Sequence, residues 1–330
     1  MATFGDIRSL LQAPPDEQTW GALVQALETF QGSQGLGDVI SYCENFLARW
    51  PEEFSRPAPS TWASSLLAGE DTPHLRLVTH LAISGRKLGP EECRAIVTCP
   101  HLAQLTSLSF AHGKITYNGM RLLVACDRWR SLRELRMVDC NLGKKSGNLL
   151  TQAPFLEYIE RLDLSDNHCK DAVRSILSAH QMGKLTHLTL RNLAIMHGLE
   201  PIVERERFGT LRYLDLSGNI IRGNFTAKLS TTAHLANLEY LDLSGCRFWE
   251  TCAIALAQSL YLTSLEHLDL TGTIVGVNGT YMLARSPNVS KLKFFGLAPR
   301  SHPEECYRYI VDSEYFPAHI RSQYAAKLER

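Results

Sequence analysis

An apolar residue that recurs every 26 or 27 positions constrains this chain more than any other feature. The clearest copy runs from Leu211 to Ile221, with further apolar residues at Leu214 and Leu216 and an asparagine at Asn219. Leu214 and Leu216 are two residues apart, so in an extended strand both side chains point to the same side. Asn219 falls where the chain must turn, and its short amide can bond neighbouring backbone groups there.

The same pattern returns in both directions along the chain. Successive first positions are 26 or 27 residues apart, and only the last step is shorter, at 24. These first positions are Val78, Leu105, Leu132, Ile159, Leu185, Leu211, Leu238, Leu265 and Val289. The paired strand positions that follow are Leu81/Ile83, Leu108/Phe110, Leu135/Met137, Leu162/Leu164, Leu188/Leu190, Leu214/Leu216, Leu241/Leu243, Leu268/Leu270 and Leu292/Phe294. We therefore predict eight full repeats and a ninth, partial one that starts at Val289.

The repeat matches L-x-x-L-x-L-x-x-N-x-L and so resembles the leucine-rich repeat, with Cys140 and Cys246 as accepted substitutes for the asparagine. The second half of each repeat has helical spacing, as at 171–177 and 252–257. A helix in a repeat of about 27 residues is similar to the ribonuclease-inhibitor-like class, over roughly residues 75 to 298. The resemblance implies an α/β solenoid of horseshoe shape, with parallel strands on the concave face and helices on the convex face. The whole chain also looks like intracellular repeat proteins of bacteria.

The two ends do not follow the repeat. Residues 1–73 predict a small helical segment, in which Asp16 and Asp38 are candidate N-caps and residues 31–37 are a flexible break. This segment is a cap over the open solenoid end, a separate recognition module, or both. We place the repeats at 74–298 and a helical C-terminal cap or tail at 299–330.

Composition restricts the function classes. The 330 residues include 45% hydrophobic residues, enough for an extended core, and the formal net charge is zero. Neutrality predicts no general attraction to nucleic acid or to an anionic membrane. We find no leader sequence and no apolar run of the ~20 residues that a membrane span needs. Nine scattered cysteines are typical of a reduced protein, which predicts a cytoplasmic location.

Catalytic motifs are missing from the sequence. It has no phosphate-binding loop of the form G-x-x-x-x-G-K-[ST], and no H-E-x-x-H, C-x-x-C or G-x-S-x-G. Cys93, Cys99 and His101 lie close together, but a metal site of this kind would need a second close-set pair. We therefore expect no enzymatic activity, cofactor, metal or small-molecule substrate.

Candidate binding residues are those between the core leucines, because they must face the concave surface. Tyr213, Tyr240 and His267 form a row of rings beside a row of aspartates, and arginines gather in earlier repeats. Aromatic residues and arginines are enriched at protein interfaces. The alternative is that Leu-Asp-Leu-Ser is simply a common form of the repeat and that charged rows are only solvated. The predicted partner-binding residues are Arg136, Arg161, Asp163, His187, Arg191, Tyr213, Asp215, Tyr240, Asp242, His267, Asp269, Lys291 and Phe295.

These patterns favour a non-enzymatic scaffold that binds a partner protein on its concave face. One alternative is regulation of a partner enzyme in trans, because Ran GTPase-activating proteins resemble this chain in using such a horseshoe. That activity would need an exposed arginine or asparagine at a loop rim, and Arg86, Arg191, Arg222 and Arg247 are candidates for the arginine. Another alternative is a substrate-recognition subunit of a ligase, with residues 1–73 docking the catalytic partner.

Overall fold

Strands and helices alternate along the chain in a computed structural model that describes residues 2–30, 35–51, 54–221, 223–247, 249–298 and 303–329. The strands are β1 (His80–Ser84), β2 (Lys87–Leu88), β3 (Ser107–Ala111), β4 (Lys114–Ile115), β5 (Glu134–Val138), β6 (Arg161–Asp163), β7 (His187–Thr189), β8 (Tyr213–Asp215), β9 (Tyr240–Asp242), β10 (His267–Asp269) and β11 (Phe294–Gly296). The helices are α1 (Phe4–Leu11), α2 (Glu17–Thr29), α3 (Leu36–Leu47), α4 (Ser60–Leu67), α5 (Pro90–Thr98), α6 (Tyr117–Val124), α7 (Lys144–Leu149), α8 (Val173–Ser178), α9 (Glu200–Glu204), α10 (Gly223–Thr231), α11 (Glu250–Ala257), α12 (Gly276–Ala284), α13 (Glu304–Val311) and α14 (Ala318–Leu328).

Nine strands form one open sheet in the order β1-β3-β5-β6-β7-β8-β9-β10-β11, and β2 pairs with β4 in a separate small sheet. Neighbouring strands are parallel because each repeat returns the chain to the same end of the sheet before the next strand starts. The strand leucines Leu214, Leu241 and Leu268 are buried, as two-residue alternation requires. The predicted α/β leucine-rich-repeat solenoid is confirmed.

The chain divides into two compact units, residues 1–135 with 153–155 and residues 136–152 with 156–330. In the first unit, the chain next to Pro57 lies beside β1. The backbone N–H of Ala58 donates to the carbonyl of His80 at 2.8 Å, and the Trp20 indole donates to the Pro57 carbonyl at 3.0 Å. The outer edge of β1 is therefore covered by the helical segment that precedes it.

One of the two predicted N-caps in this segment is confirmed. The Asp16 carboxylate accepts the Thr19 N–H at 2.6 Å at the start of α2. Asp38 is wrong as a cap, because α3 begins at Leu36 with Gly35 as its N-cap residue. Asp38 lies in the first turn of α3, where the positive end of the helix dipole favours a carboxylate. Most of the predicted flexible break, at 31–34, lies outside the described residues.

In the second unit, Asn219 performs the predicted turn role. Its amide donates to the carbonyls of Leu190 at 2.7 Å and Leu216 at 2.8 Å, and its oxygen accepts the N–H groups of Leu193 and Ile195. Asn167, two repeats earlier in the chain, makes the equivalent set of hydrogen bonds. Each asparagine thereby joins two neighbouring turns through one buried side chain.

A second apolar series, which the sequence analysis did not recognise, lies three residues before the first position of each repeat and recurs once after β11. Its members keep the repeat spacing and are all buried. They are Leu75, Leu102, Trp129, Leu156, Met182, Phe208, Leu235, Leu262, Val289 and Phe316. Val289 belongs to this series, so the predicted start of the ninth repeat at Val289 is wrong.

The ninth repeat starts at Leu292, 27 residues after Leu265. Its strand β11 pairs with β10 in the register His267 to Phe294. The side chain at Phe295, predicted to contact a partner, is therefore turned into the core and is only 1% exposed. Phe294 takes the position that was assigned to Lys291.

The chain after β11 packs over that strand. The Tyr324 hydroxyl donates to the carbonyl of Phe295 at 3.0 Å, and the ring of Phe316 lies 4.9 Å from the Phe295 ring. Ser313 donates to the carbonyl one repeat back, as Ser259 and Ser286 do. The second half of a repeat is thus present after β11, and α14 follows in place of another strand.

Candidate functional site

Five aromatic rings stack in one row across β7 to β11, one ring from each strand. The ring centroids are 5.4 Å apart from His187 to Tyr213, 4.0 Å from Tyr213 to Tyr240, 4.0 Å from Tyr240 to His267 and 4.3 Å from His267 to Phe294. The angles between ring planes are 20°, 14°, 14° and 9° in the same order. We call these five residues the ring row.

The strand register produces this row. Tyr213 lies directly beside Tyr240 and His267 beside Phe294, because parallel strands place equivalent repeat positions side by side. Neighbouring strands are ~4.8 Å apart, close to the separation that stacked rings prefer. The ring faces therefore cover one another, while the ring edges and the outermost ring, Phe294 at 38% exposure, remain open to solvent.

Burial within the row shifts its titratable groups toward their neutral forms. The pKa of Tyr213 is raised mainly by burial, and the pKa of Tyr240 is raised strongly by burial and then by the neighbouring Tyr213 hydroxyl. Burial lowers the pKa of His267, although Asp269, Asp242 and Asp215 oppose that shift. The ring row is therefore uncharged at neutral pH over these three residues.

A row of carboxylates follows the rings on the same face. Asp215, Asp242 and Asp269 lie directly beside one another on β8, β9 and β10. Each carboxylate accepts the backbone N–H two residues later, at 2.9 Å from Ser217, 2.7 Å from Ser244 and 2.8 Å from Thr271. These bonds are Asx turns that end the strands, so each aspartate has a structural role. We call these three residues the carboxylate row.

The carboxylate row is partly buried and self-repelling. Asp215 is only 8% exposed, and Asp242 and Asp269 are of intermediate exposure. The pKa of Asp242 is raised, first by burial, and also by the charges of Asp215 and Asp269, while its bonds to Ser244 act in the opposite direction.

The predicted basic zone is partly compensated by acidic residues of the same chain. Arg136 pairs with Asp163 at 3.5 Å between Nε and Oδ2, and Arg191 pairs with Asp166 at 3.5 Å between Nη2 and Oδ2. Arg161 is exposed on β6. Two of these three arginines are therefore part of mixed-charge pairs, and the surface they form is less positive than the sequence suggests.

Residues just before the strands form a further, balanced strip. Arg212 pairs with Glu239, and Lys293 pairs with Glu266 at 2.7 Å. Such exposed pairs contribute about 0–1 kcal/mol each to stability. They neutralise one another, so the carboxylate row is the part of this face where negative charge accumulates.

The structure brings most of the predicted binding residues together, with two exceptions. His187, Tyr213, Tyr240 and His267 share the ring row, and the predicted aspartates lie beside it. Lys291 precedes β11 and Phe295 is buried, so neither takes the predicted position. The sequence analysis missed Phe294, although its 27-residue offset from His267 would have placed it in the row.

The arginines suggested for a trans-acting role are dispersed. Arg86 donates to the Ser64 hydroxyl at 3.1 Å, Arg191 is paired with Asp166, and Arg247 is exposed. Arg222 lies outside the described residues. No observation selects one of them as a catalytic arginine.

Over the described ranges, we find no group of three or more His, Cys, Asp or Glu side chains that could hold a metal ion. Among those same residues, no helix combines the length and apolar character needed to cross a membrane. A cleft of about 510 Å³ lies on the helical side and includes Tyr281, Arg285 and Tyr309.

A family model described as Leucine Rich Repeat matches residues 237–258. No curated protein sequence matches the chain. A solved structure of an internalin (inlF) from Listeria monocytogenes is similar at 16% identity over 71% of this chain and 93% of that chain, with a TM-score of 0.25. That likeness says nothing about what this chain binds.

The matched segment contains β9 and α11, which form one complete strand–helix repeat of the second unit. The same strand position recurs through the nine-stranded sheet. The chain thus carries a leucine-rich repeat and has the α/β leucine-rich-repeat fold, a fold that generally serves as a protein-interaction scaffold.

Proposed function

We propose that this chain is a non-enzymatic scaffold that binds a partner protein across the strand face of β7 to β11. The observation that carries the proposal is the ring row, in which five rings from successive strands stack at a partly exposed sheet surface. Aromatic residues dominate the binding energy of protein interfaces, and exposed groups of them mark interaction sites.

The rigidity of the ring row supports this function. Each inner ring is held between two neighbours, as Tyr240 is between Tyr213 and His267 at 4.0 Å on both sides. A side chain that is already ordered loses little conformational entropy when a partner binds. The row therefore presents ring edges and two tyrosine hydroxyls in fixed positions, which favours specific binding.

Three narrower proposals accompany this function. A helix in repeats of 26 or 27 residues supports the ribonuclease-inhibitor-like class, with the strand face as the concave face. All nine cysteines are free thiols, which supports a reduced, cytoplasmic environment. The contacts of Ala58 with β1 and of Tyr324 with β11 support caps at 1–73 and 299–330. We infer that these caps close the sheet edges and leave its face for the partner.

The experiment compares the intact chain with a Tyr213→Ala/Tyr240→Ala/His267→Ala variant. Each is screened against a displayed library of protein fragments from the source genome, and dissociation constants are measured for the fragments retrieved. We expect the variant to bind them at least ten-fold more weakly, because loss of an interface hot spot costs about 2 kcal/mol or more. Tyr117→Ala is the matched control, since Tyr117 is 46% exposed on α6, in the first unit.

A second variant separates loss of binding from loss of folding. Thr189→Trp adds bulk beside His187 on β7 and removes no ring of the row. It should also weaken binding while the unfolding temperature stays near that of the intact chain. Equal binding by the intact chain and both variants would overturn the proposed function.

A further inference from the structure

Three negative charges lie together on the proposed binding face, and no lysine or arginine among the described residues forms an ion pair with them. Asp215, Asp242 and Asp269 occupy neighbouring strands ~4.8 Å apart, so all three carboxylates fall within about 10 Å. Like charges directly opposite one another on a sheet are destabilising. The arrangement therefore holds electrostatic repulsion that a bound cation would relieve.

Within the part of the chain that the structure describes, ion pairs neutralise other carboxylates on this face but not the carboxylate row. Arg136 forms an ion pair with Asp163, and Arg191 forms one with Asp166. Among the described residues, no lysine or arginine forms an ion pair with the three members of the carboxylate row. The adjacent imidazole of His267 does not replace a cation, because burial favours its neutral form.

The turns explain why an oxygen acceptor follows each strand, but they do not explain the charge. The N–H of Ser244 needs only an acceptor two residues earlier, and an asparagine side chain supplies the same bond. The N–H of Thr271 likewise needs only an acceptor at residue 269. The turns therefore do not require the negative charge of Asp242 and Asp269.

We propose that the partner segment bound on β8 to β10 is cationic and places arginine or lysine side chains against the carboxylate row. This proposal rests on the binding function proposed above and specifies the chemistry of the partner. Asp242 and Asp269, of intermediate exposure, make the direct contacts, and the more buried Asp215 adds its charge from the neighbouring strand β8. The neutral ring row lies alongside and supplies apolar edges and tyrosine hydroxyls to the same segment.

The chemistry of the two rows fits an arginine side chain especially well. A guanidinium group donates two parallel hydrogen bonds to a carboxylate, and it is weakly hydrated, so it also packs favourably against aromatic rings. Charge complementarity of this kind also accelerates association and suppresses acidic partners. We therefore expect binding to weaken as salt concentration rises.

The test begins with the fragments retrieved from the genome library by the intact chain. Fragments whose binding depends on the ring row should each carry a close group of arginine or lysine residues. Their dissociation constants should rise at least ten-fold in the Asp242→Asn/Asp269→Asn variant, which keeps both turn acceptors, and the salt dependence of binding should become shallower. Asp171→Asn is the control, because it removes an exposed carboxylate of the second unit that lies in the helical part of its repeat and not on a strand. It should change binding less than three-fold.

The possible outcomes separate the two proposals. Fragments that depend on the ring row but are neutral or acidic, or that bind the double asparagine variant normally, overturn the cationic partner and leave the proposed function standing. Fragments that bind independently of the ring row, or a failure to retrieve any fragment, overturn the proposed function itself. Cationic fragments that bind weakly both to the Tyr213→Ala/Tyr240→Ala/His267→Ala variant and to the Asp242→Asn/Asp269→Asn variant support both proposals.

Discussion

Tyr213 and Tyr240 stack with their ring centroids 4.0 Å apart and their planes 14° from parallel. They come from different repeats, and only the parallel register of β8 and β9 places them side by side. The same contact is therefore a part of the fold and a part of the surface that we propose as the binding site. This dual role makes the energetics of the ring row testable without knowledge of the partner.

Removal of one inner ring should destabilise the fold. Tyr240→Ala removes two stacked contacts, with Tyr213 and His267, and each aromatic pair contributes about 0.5–1.5 kcal/mol. We expect the free energy of unfolding, measured by urea denaturation, to fall by about 2 kcal/mol. Tyr117→Ala, on an exposed part of α6, should change it by less than about 0.5 kcal/mol. Equal effects of the two substitutions would contradict the stacking.

The hydrogen bonds of a turn asparagine should contribute more to the free energy of unfolding than those of a cysteine at the same repeat position. Asn219→Ala leaves buried backbone groups of Leu190, Leu193 and Ile195 without their partner, at about 1–3 kcal/mol for each unsatisfied group. We expect a loss of roughly 3 kcal/mol or more in chemical denaturation.

The matched comparison for this asparagine is Cys246→Ala. The Cys246 thiol donates one weak bond, to the carbonyl of Leu216 at 3.1 Å. Its removal should lower the free energy of unfolding by about 1 kcal/mol. If Cys246→Ala lowers the free energy of unfolding as much as Asn219→Ala, the asparagine does not stabilise the turns more than the cysteine does, contrary to this account.

Stability near Asp242 should depend on pH in a defined direction. The pKa of Asp242 is raised in the folded state, mainly by burial, from an ordinary value of 3.8. When folding raises the pKa of a carboxyl group, the folded state is favoured at pH values below the pKa of that group in the unfolded chain. This contribution to stability is lost as the pH rises through the pKa of the group in the folded chain. Asp242→Asn should therefore stabilise the chain at pH 7, with an advantage that shrinks as pH falls toward 3.8. Thermal unfolding of both forms across this range checks the sign; a constant difference would argue against it.

The carboxylate row ends where β11 comes close to Asp269. A Cβ atom at Gly296 would lie 2.0 Å from Oδ1 of Asp269. Gly296→Ala should therefore displace the turn and cost about 2 kcal/mol of unfolding free energy, in the range for overpacked sites. Gly183→Ala, at a glycine with no atom within 4 Å of the added carbon, should have little effect. Similar unfolding free energies for both variants would contradict this close approach.

The sequence predicted the fold because the repeat is long and its alternation is regular. Leu214 and Leu216 fixed which side of the strand is buried, and so placed Tyr213 and Asp215 on the opposite face. The prediction failed at the last repeat, which it started at Val289 instead of Leu292. Val289 lies in the second apolar series, which is as regular as the strand series and equally hydrophobic.

Other features depended on distances that spacing alone does not give. The compensation of Arg136 by Asp163 could not be read from the sequence, because it depends on side-chain direction across two strands. The start of α3 at Leu36 was also missed, since a carboxylate such as Asp38 is favoured both at the N-cap and in the first turn. Residue type identified the helix end, but not the position within it.

Photo-cross-linking from the ring row tests the central claim most directly. A benzoylphenylalanine side chain is introduced in place of Phe294, the open end of the row, and in a separate protein in place of Tyr117 on α6. Each protein is irradiated with a fragment whose binding depends on Tyr213, Tyr240 and His267. We predict a covalent adduct with the fragment from position 294 and none from position 117. An adduct from position 117 alone would place the partner away from the ring row and contradict the proposed function.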